Sequence, residues 1–121
     1  MSYIDGFVIA VPTANREAFL EMAKRTSAVF LKHGATQVVE SWGDDVPHGK
    51  QTDFFRAVQA TPEETVVFAW ITWPSKAIRD AGMAKVMADP DNEADAMRGI
   101  FDGKRMIYGG FTPLLDERAK A

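Results

Sequence analysis

Apolar residues along the chain fall into blocks of two different periods, and the order of those blocks sets the fold. In Tyr3–Val11 both alternating registers are apolar, with Tyr3, Phe7, Ile9 and Val11 on one and Ile4, Val8 and Ala10 on the other. Such a strand is covered on both faces. Pro12 ends it, and Thr13 is the expected N-cap of a first helix running to about His33. Phe19, Met22, Ala23, Thr26, Phe30 and His33 recur at helical spacing on one side of that helix. Gly34 follows where a left-handed residue is wanted. His33, in the last turn, would oppose the helix dipole if charged.

A second strand is expected over Thr36–Trp42, with Thr36, Val38, Glu40 and Trp42 on one face. A polar loop, Gly43–Lys50, leads to a third strand over Asp53–Ala60. Thr61-Pro62-Glu63-Glu64 is a turn, and Thr65–Trp73 is the fourth and most apolar strand, completing a hairpin. Ser75 caps a second helix whose apolar side is Ala77, Ile78, Ala81, Ala84 and Met87. Asp89-Pro90 opens a short third helix that includes Glu93–Met97. Arg105–Thr112 is the last strand, and its Gly109-Gly110 marks a bulge or a close backbone approach.

This order predicts one α+β domain over 1–121, folded over 1–115 with a flexible charged tail at 116–121. Its expected form is a ferredoxin-like βαβ(β)βαβ sandwich, an antiparallel sheet with its helices on one face. Two helices cover one face of such a sheet, yet the first and fourth strands are apolar on both. A second copy of the chain, packed face to face as a homodimer, would cover the other.

Composition narrows the function. With 46% hydrophobic residues and eight Phe, the chain can bury a core without staples. It has no cysteine, which excludes disulfides, thiolate metal sites and cysteine nucleophiles. The 14 basic and 17 acidic residues include no basic block, only the pairs Lys24-Arg25 and Lys104-Arg105, so nucleic-acid binding is not expected. No apolar run approaches the ~18 residues that cross a bilayer, and the first residues lack the features of a signal peptide. The expectation is a cytoplasmic protein.

Two longer segments, Glu40-Ser41-Trp42-Gly43-Asp44-Asp45-Val46-Pro47 and Phe101–Phe111, resemble the YbaA-like bacterial proteins, as do Asp5-Gly6-Phe7 and Thr52-Asp53-Phe54. These form an uncharacterised family within the dimeric α/β-barrel superfamily. The resemblance spans roughly Tyr3–Leu115 and departs at Asn92–Gly99. It implies a ferredoxin-like homodimer, a dimeric α/β barrel, and it implies no activity. The wider superfamily includes cofactor-independent monooxygenases, haem-handling proteins, muconolactone-isomerase-like enzymes and stress-responsive proteins, which is analogy at the level of fold.

Candidate chemistry is sparse. Asp44, Asp45 and His48 share a loop, but no metal-ligand spacing is present and no metal is expected. Glu40 and Trp42 stand on one face of an apolar strand, where a buried carboxylate needs a cation or donors. Arg56, on the strand expected next, is its candidate partner, either as a structural ion pair or as part of a polar handle in an apolar pocket. Lys104 and Arg105 follow a turn and are candidates for holding an anion or for ordinary ion pairs. The expected ligand-binding set is Glu40, Trp42, Arg56, Trp70 and Arg105, with Glu40 and Tyr108 as candidate catalytic groups and no cofactor. Two functions compete: a protein that binds or transforms a small organic molecule, and a non-catalytic structural, stress-related or partner-binding dimer.

Overall fold

The computed structural model describes residues 2–92, 97 and 99–120. Four strands form one antiparallel sheet among them: β1 (Tyr3–Pro12), β2 (Gln37–Trp42), β3 (Glu64–Trp73) and β4 (Ile107–Phe111). Their spatial order is β2-β3-β1-β4, with the two long apolar strands in the centre. Helices α1 (Arg16–Lys32) and α3 (Lys76–Ala88) pack on one face, and a short helix, α2 (Phe54–Ala57), belongs to the excursion between β2 and β3. This is the α+β sandwich that the order of blocks implied.

Alternation along the strands assigns the faces. Tyr3, Asp5, Phe7, Ile9 and Val11 of β1 point towards the helices. Their register partners on β3 are Trp73, Ile71, Ala69, Val67 and Thr65. Ile9, Val11, Val67 and Ala69 close against Phe19, Met22 and Ala23 of α1 and against Phe101. A second cluster joins Tyr3, Ala35, Ile71 and Trp73, with Phe30 edge-on to the Trp73 indole. Each large apolar side chain buried this way contributes roughly 1.5–3 kcal/mol.

The expected third strand is instead the short helix α2. The Asp53 carboxylate accepts hydrogen bonds from the Arg56 and Gly49 N–H groups, which caps a helical turn. Gln59, at φ +52°, ends it. Phe55 and Val58 are three residues apart, so a helical turn brings both onto Ala10 and Val66. No hairpin precedes β3, which pairs with β2 and β1.

Other boundaries differ for local reasons. Thr13 begins a 3-10 turn rather than capping α1, and its hydroxyl bonds the Thr65 hydroxyl. Gly34 takes φ +113°, as its position after α1 required. Ser75 caps α3 by accepting from the Ile78 N–H. The face that α3 turns to the sheet is Gly82 and Val86, while Ala77, Ile78, Ala81, Ala84 and Met87 face outwards. Trp73 explains the rotation: a Cβ at Gly82 would stand 2.5 Å from both the Trp73 ring and the His33 carbonyl oxygen. Only a glycine admits the indole there.

Gly109 and Gly110 pair regularly with Gly6 and Asp5, so β4 has no bulge. The glycine at 110 serves close approach, because a Cβ there would collide with the Tyr3 side chain. Arg105 belongs to a 3-10 turn before β4 rather than to the strand. Asp89 ends α3, and its carboxylate accepts from the Asp91 N–H and bonds His33 Nε2 at 2.6 Å. The short third helix expected over Glu93–Met97 lies, apart from Met97, outside the described residues.

Among the described residues, the opposite face of the sheet is covered chiefly at one end, with Phe54 edge-on to Phe68 beyond it. At that end Val46, Phe55, Val58 and Ala60 lie over Ala10 and Val66. Across the rest, Phe68, Ile107 and Phe111 are 48%, 45% and 60% exposed. Leu114 and Leu115, just past β4, are exposed as well.

Candidate functional site

A half-open cleft combines apolar walls with ionisable groups. It lies between α1 and the β2 edge of the sheet and has a volume of about 140 Å³. Arg16, Phe19, Leu20 and Ala23 of α1 form one side; Glu40 and Trp42 of β2, with Val67 of β3, form the other. The helix supplies its residues at positions one turn apart, and the strand supplies two residues on one side of its pleat. The Phe19 and Trp42 rings lie 6.5 Å apart at 49°. The Arg16 guanidinium carbon sits 5.8 Å from the centre of the Trp42 ring, within cation–π range.

Glu40 stands at the mouth of this cleft. It is exposed to solvent at its outer side and borders the apolar cleft wall on the other. Desolvation pushes its carboxyl up from 4.5 to about 7. No hydrogen-bond or ion-pair partner for it occurs among the described residues, in keeping with a rise that desolvation alone causes. A carboxyl poised near neutrality in an aromatic cleft can both accept and return a proton.

The remaining expected residues lie elsewhere. Arg56 is on α2 beside Asp53, at 3.7 Å, and α2 packs on the sheet face opposite Glu40, so the expected pair does not form. The misplaced third strand is the cause, since a strand beside β2 would have carried Arg56 next to Glu40. Trp70 also points to the opposite face, beside the Phe68 ring. Arg105 spends its guanidinium on Glu64, Asp102 and the Gln59 carbonyl. It borders a wider groove of about 740 Å³, with four of its five N–H groups already engaged by these partners. Tyr108 shares a transverse row with Glu40, running Tyr108, Phe7, Ala69, Glu40. The two ends of that row are three strand spacings apart, roughly 14 Å. They therefore cannot act on one small group. Tyr108 is 73% exposed and stacks on Phe7.

In the 43–53 segment, His48 stacks on Phe55 and lies 3.8 Å from the Asp53 carboxylate. Among the described residues no cluster of three His, Asp or Glu side chains could hold a metal ion.

A family model described as a protein of unknown function (DUF1428) matches residues 2–103. The chain belongs to this family. It is 50% identical over 117 residues to the uncharacterised protein YbaA of Escherichia coli K12, covering 97% of this chain and all of that one. The Shigella flexneri protein of the same name matches equally. Solved structures of low identity share the ferredoxin-like fold. SnoaB of Streptomyces nogalater, a cofactor-independent oxygenase, superposes in a mutant form with a TM-score of 0.60 at 17% identity over 95% of both chains. A NIPSNAP-like domain protein from Burkholderia xenovorans gives 0.61 at 10% identity, over 98% of this chain and 90% of the other. A dimeric ferredoxin-like protein from an uncultured marine organism gives 0.57 at 10%, over 98% of this chain and all of that one.

Two features of this family member were missed from the sequence. The first is Arg16, which joins the cleft because α1 begins two residues later than Thr13 implied. The second is a buried polar corner. Asp5, 3% exposed, accepts from both Nε and Nη2 of Arg79 and from the Trp73 indole N–H. Arg79 also lies 5.1 Å over the Tyr3 ring. A lone carboxylate in an otherwise apolar strand was the available signal.

Proposed function

We propose that this protein works as a single-domain homodimer in the cytoplasm and binds or acts on a small organic molecule in the cleft between α1 and β2. The observation that carries the reading is Glu40, a carboxyl with no partner among the described residues, held near neutrality beside Trp42 and Phe19. Small-molecule sites are built this way, with apolar walls and a few placed polar groups. A carboxyl kept only for stability would be paired or fully solvated. If the protein is a catalyst, Glu40 is the acid–base group, and the reaction is proton transfer or a cofactor-free oxidation that begins with one. Tyr108 takes no part in that step, because it stands at the other edge of the sheet.

Homodimer formation is supported by the open sheet face, where Phe68, Ile107 and Phe111 are exposed together. A face of this kind is usually an interface. It favours a second reading on its own: a dimer with no ligand, whose cleft is a packing defect. Native mass spectrometry of gently purified protein separates the two. A dimer with a reproducible added mass that Glu40→Gln removes supports the ligand reading; a clean dimer for both supports the second. Phe68→Asp should convert the dimer to monomer. A dimer unchanged by Phe68→Asp would reject this face as the interface.

A further inference from the structure

Resting on the small-molecule reading above, we propose that the α1–β2 cleft takes a single planar ring bearing a weakly acidic hydroxyl, a phenol or an enol, with the ring against Phe19 and Trp42 and its oxygen within reach of Glu40 and Arg16.

Size sets the first limit. The cleft measures about 140 Å³, close to the ~150 Å³ apolar cavity that holds one benzene. A single ring fills that space, and a fused polycycle would project from its mouth into solvent. Shape sets the second. Phe19, Trp42 and Val67 offer flat and branched apolar surface, with the two rings inclined at 49°. A planar ring makes more contact with such walls than a flexible chain of equal volume.

Charge selects among rings. The cleft is lined by one carboxyl and one guanidinium, and Glu40 and Arg16 are not paired with each other. Arg16 lies over Trp42, and its ion pair is a 3.7 Å contact with the exposed Glu17. It occupies the first position of α1, where the helix dipole disfavours a cation. Helix stability alone therefore does not account for an arginine there. A carboxylate ligand would suit Arg16 but crowd the Glu40 carboxyl. An ammonium would suit Glu40 but oppose Arg16. A plain hydrocarbon would leave Glu40 without a partner. A weak acid satisfies both groups in sequence. Its O–H donates to the Glu40 carboxylate; on transfer that O–H bond breaks and one forms on Glu40. The resulting aryloxide or enolate then faces Arg16. Protons and charge balance with no other reactant.

The test is a titration of the folded protein with 4-nitrophenol, whose anion is yellow. Size-matched 4-nitrotoluene and 4-nitrobenzylamine serve as neutral and cationic comparators. We expect the phenol to bind about tenfold more tightly than the toluene, with a larger phenolate fraction bound than free. Arg16→Met should lower both the affinity and the yellow fraction. Glu40→Gln should retain ring binding while the phenolate fraction falls. Equal binding of phenol and toluene overturns the weak-acid assignment and leaves the small-molecule reading standing. Preference for the benzylamine overturns it in the same way. Absence of binding by all three, with circular dichroism showing folded protein, removes both readings.

Discussion

Asp5 and Glu40 are carboxylates on the same side of the same sheet, and the protein treats them in opposite ways. Asp5, on central β1, is shut from water and receives donors from Arg79 and Trp73. Glu40, on the β2 edge, has no such donors among the described residues, and its carboxyl is pushed up to about 7. The cost of an unpaired buried charge is large enough that folding ordinarily eliminates it. In the centre of this sheet that rule is obeyed. At the edge it is relaxed, because the cleft mouth still admits water and lets the group trade its charge for a proton. A fully satisfied carboxylate joins elements together; an unsatisfied one is left free to meet something else. That difference is the physical reason for locating function at Glu40 and structure at Asp5.

Breaking the Asp5 corner should have the largest effect. Arg79→Met leaves Asp5 with the Trp73 indole alone, at a side-chain exposure of 5%. Losing one partner of a buried pair costs about 3–5 kcal/mol. Urea unfolding at neutral pH should show that loss, and Asp5→Asn in the Arg79→Met background should recover part of it. If Arg79→Met costs no more than a surface substitution, Asp5 is not the structural member of the comparison.

A third carboxylate sharpens the contrast. Glu64 accepts from Arg105 Nη1 and Nη2 at 2.7 Å each and from the Thr61 N–H. The Arg105 hydrogen bonds are the main reason its carboxyl is drawn from 4.5 down to about 2. Its folded value is thus depressed, so its stabilisation is present above pH 4.5 and disappears as pH falls towards 2. Arg105→Met should cost about 2 kcal/mol at neutral pH, and the deficit should shrink steadily on acidification. A deficit independent of pH would mean that Arg105 contributes through packing instead.

The sequence disclosed the fold through period and punctuation. Two doubly apolar strands had to be central, and Ser75 and Gly34 marked helix ends with a physical cause that the structure repeats. The failures come from long-range context. Asp53–Ala60 reads as a strand because two aromatics and a valine invite it, but the Asp53 side chain captures the Arg56 N–H and turns the backbone. The spacing of Ala77, Ile78, Ala81, Ala84 and Met87 predicts one apolar side for α3, whereas the bulk of Trp73 selects Gly82. The site was half legible. Glu40 and Trp42 were visible as a strand pair, and the raised Glu40 carboxyl follows from partial desolvation at the cleft mouth. Arg16 was not visible, since it depends on where α1 starts and how α1 lies across β2. Arg56 and Trp70 were drawn in by the misplaced strand and by aromaticity, and both lie towards the opposite face.

The smallest expected effect tests the comparison most directly. Glu40 has a folded value raised from 4.5 to about 7, so the folded state holds its proton more tightly than the unfolded chain does. Stability associated with that proton is complete below pH 4.5 and is lost as pH rises through 7. Glu40→Gln cannot ionise and should escape that loss. A tenfold change in proton affinity corresponds to about 1.4 kcal/mol, but water at the cleft mouth screens the charge, so a gain of about 1 kcal/mol is expected at pH 8. At pH 4 the variant and the parent should unfold at the same urea concentration. A gain confined to high pH would mean that the protein keeps a destabilising carboxyl, and stability gained by removing a group is the mark of a site held for another purpose. A loss at pH 8 would mean that Glu40 has a cationic partner in solution. It would then be a second Asp5, and the case for the cleft would fall with it.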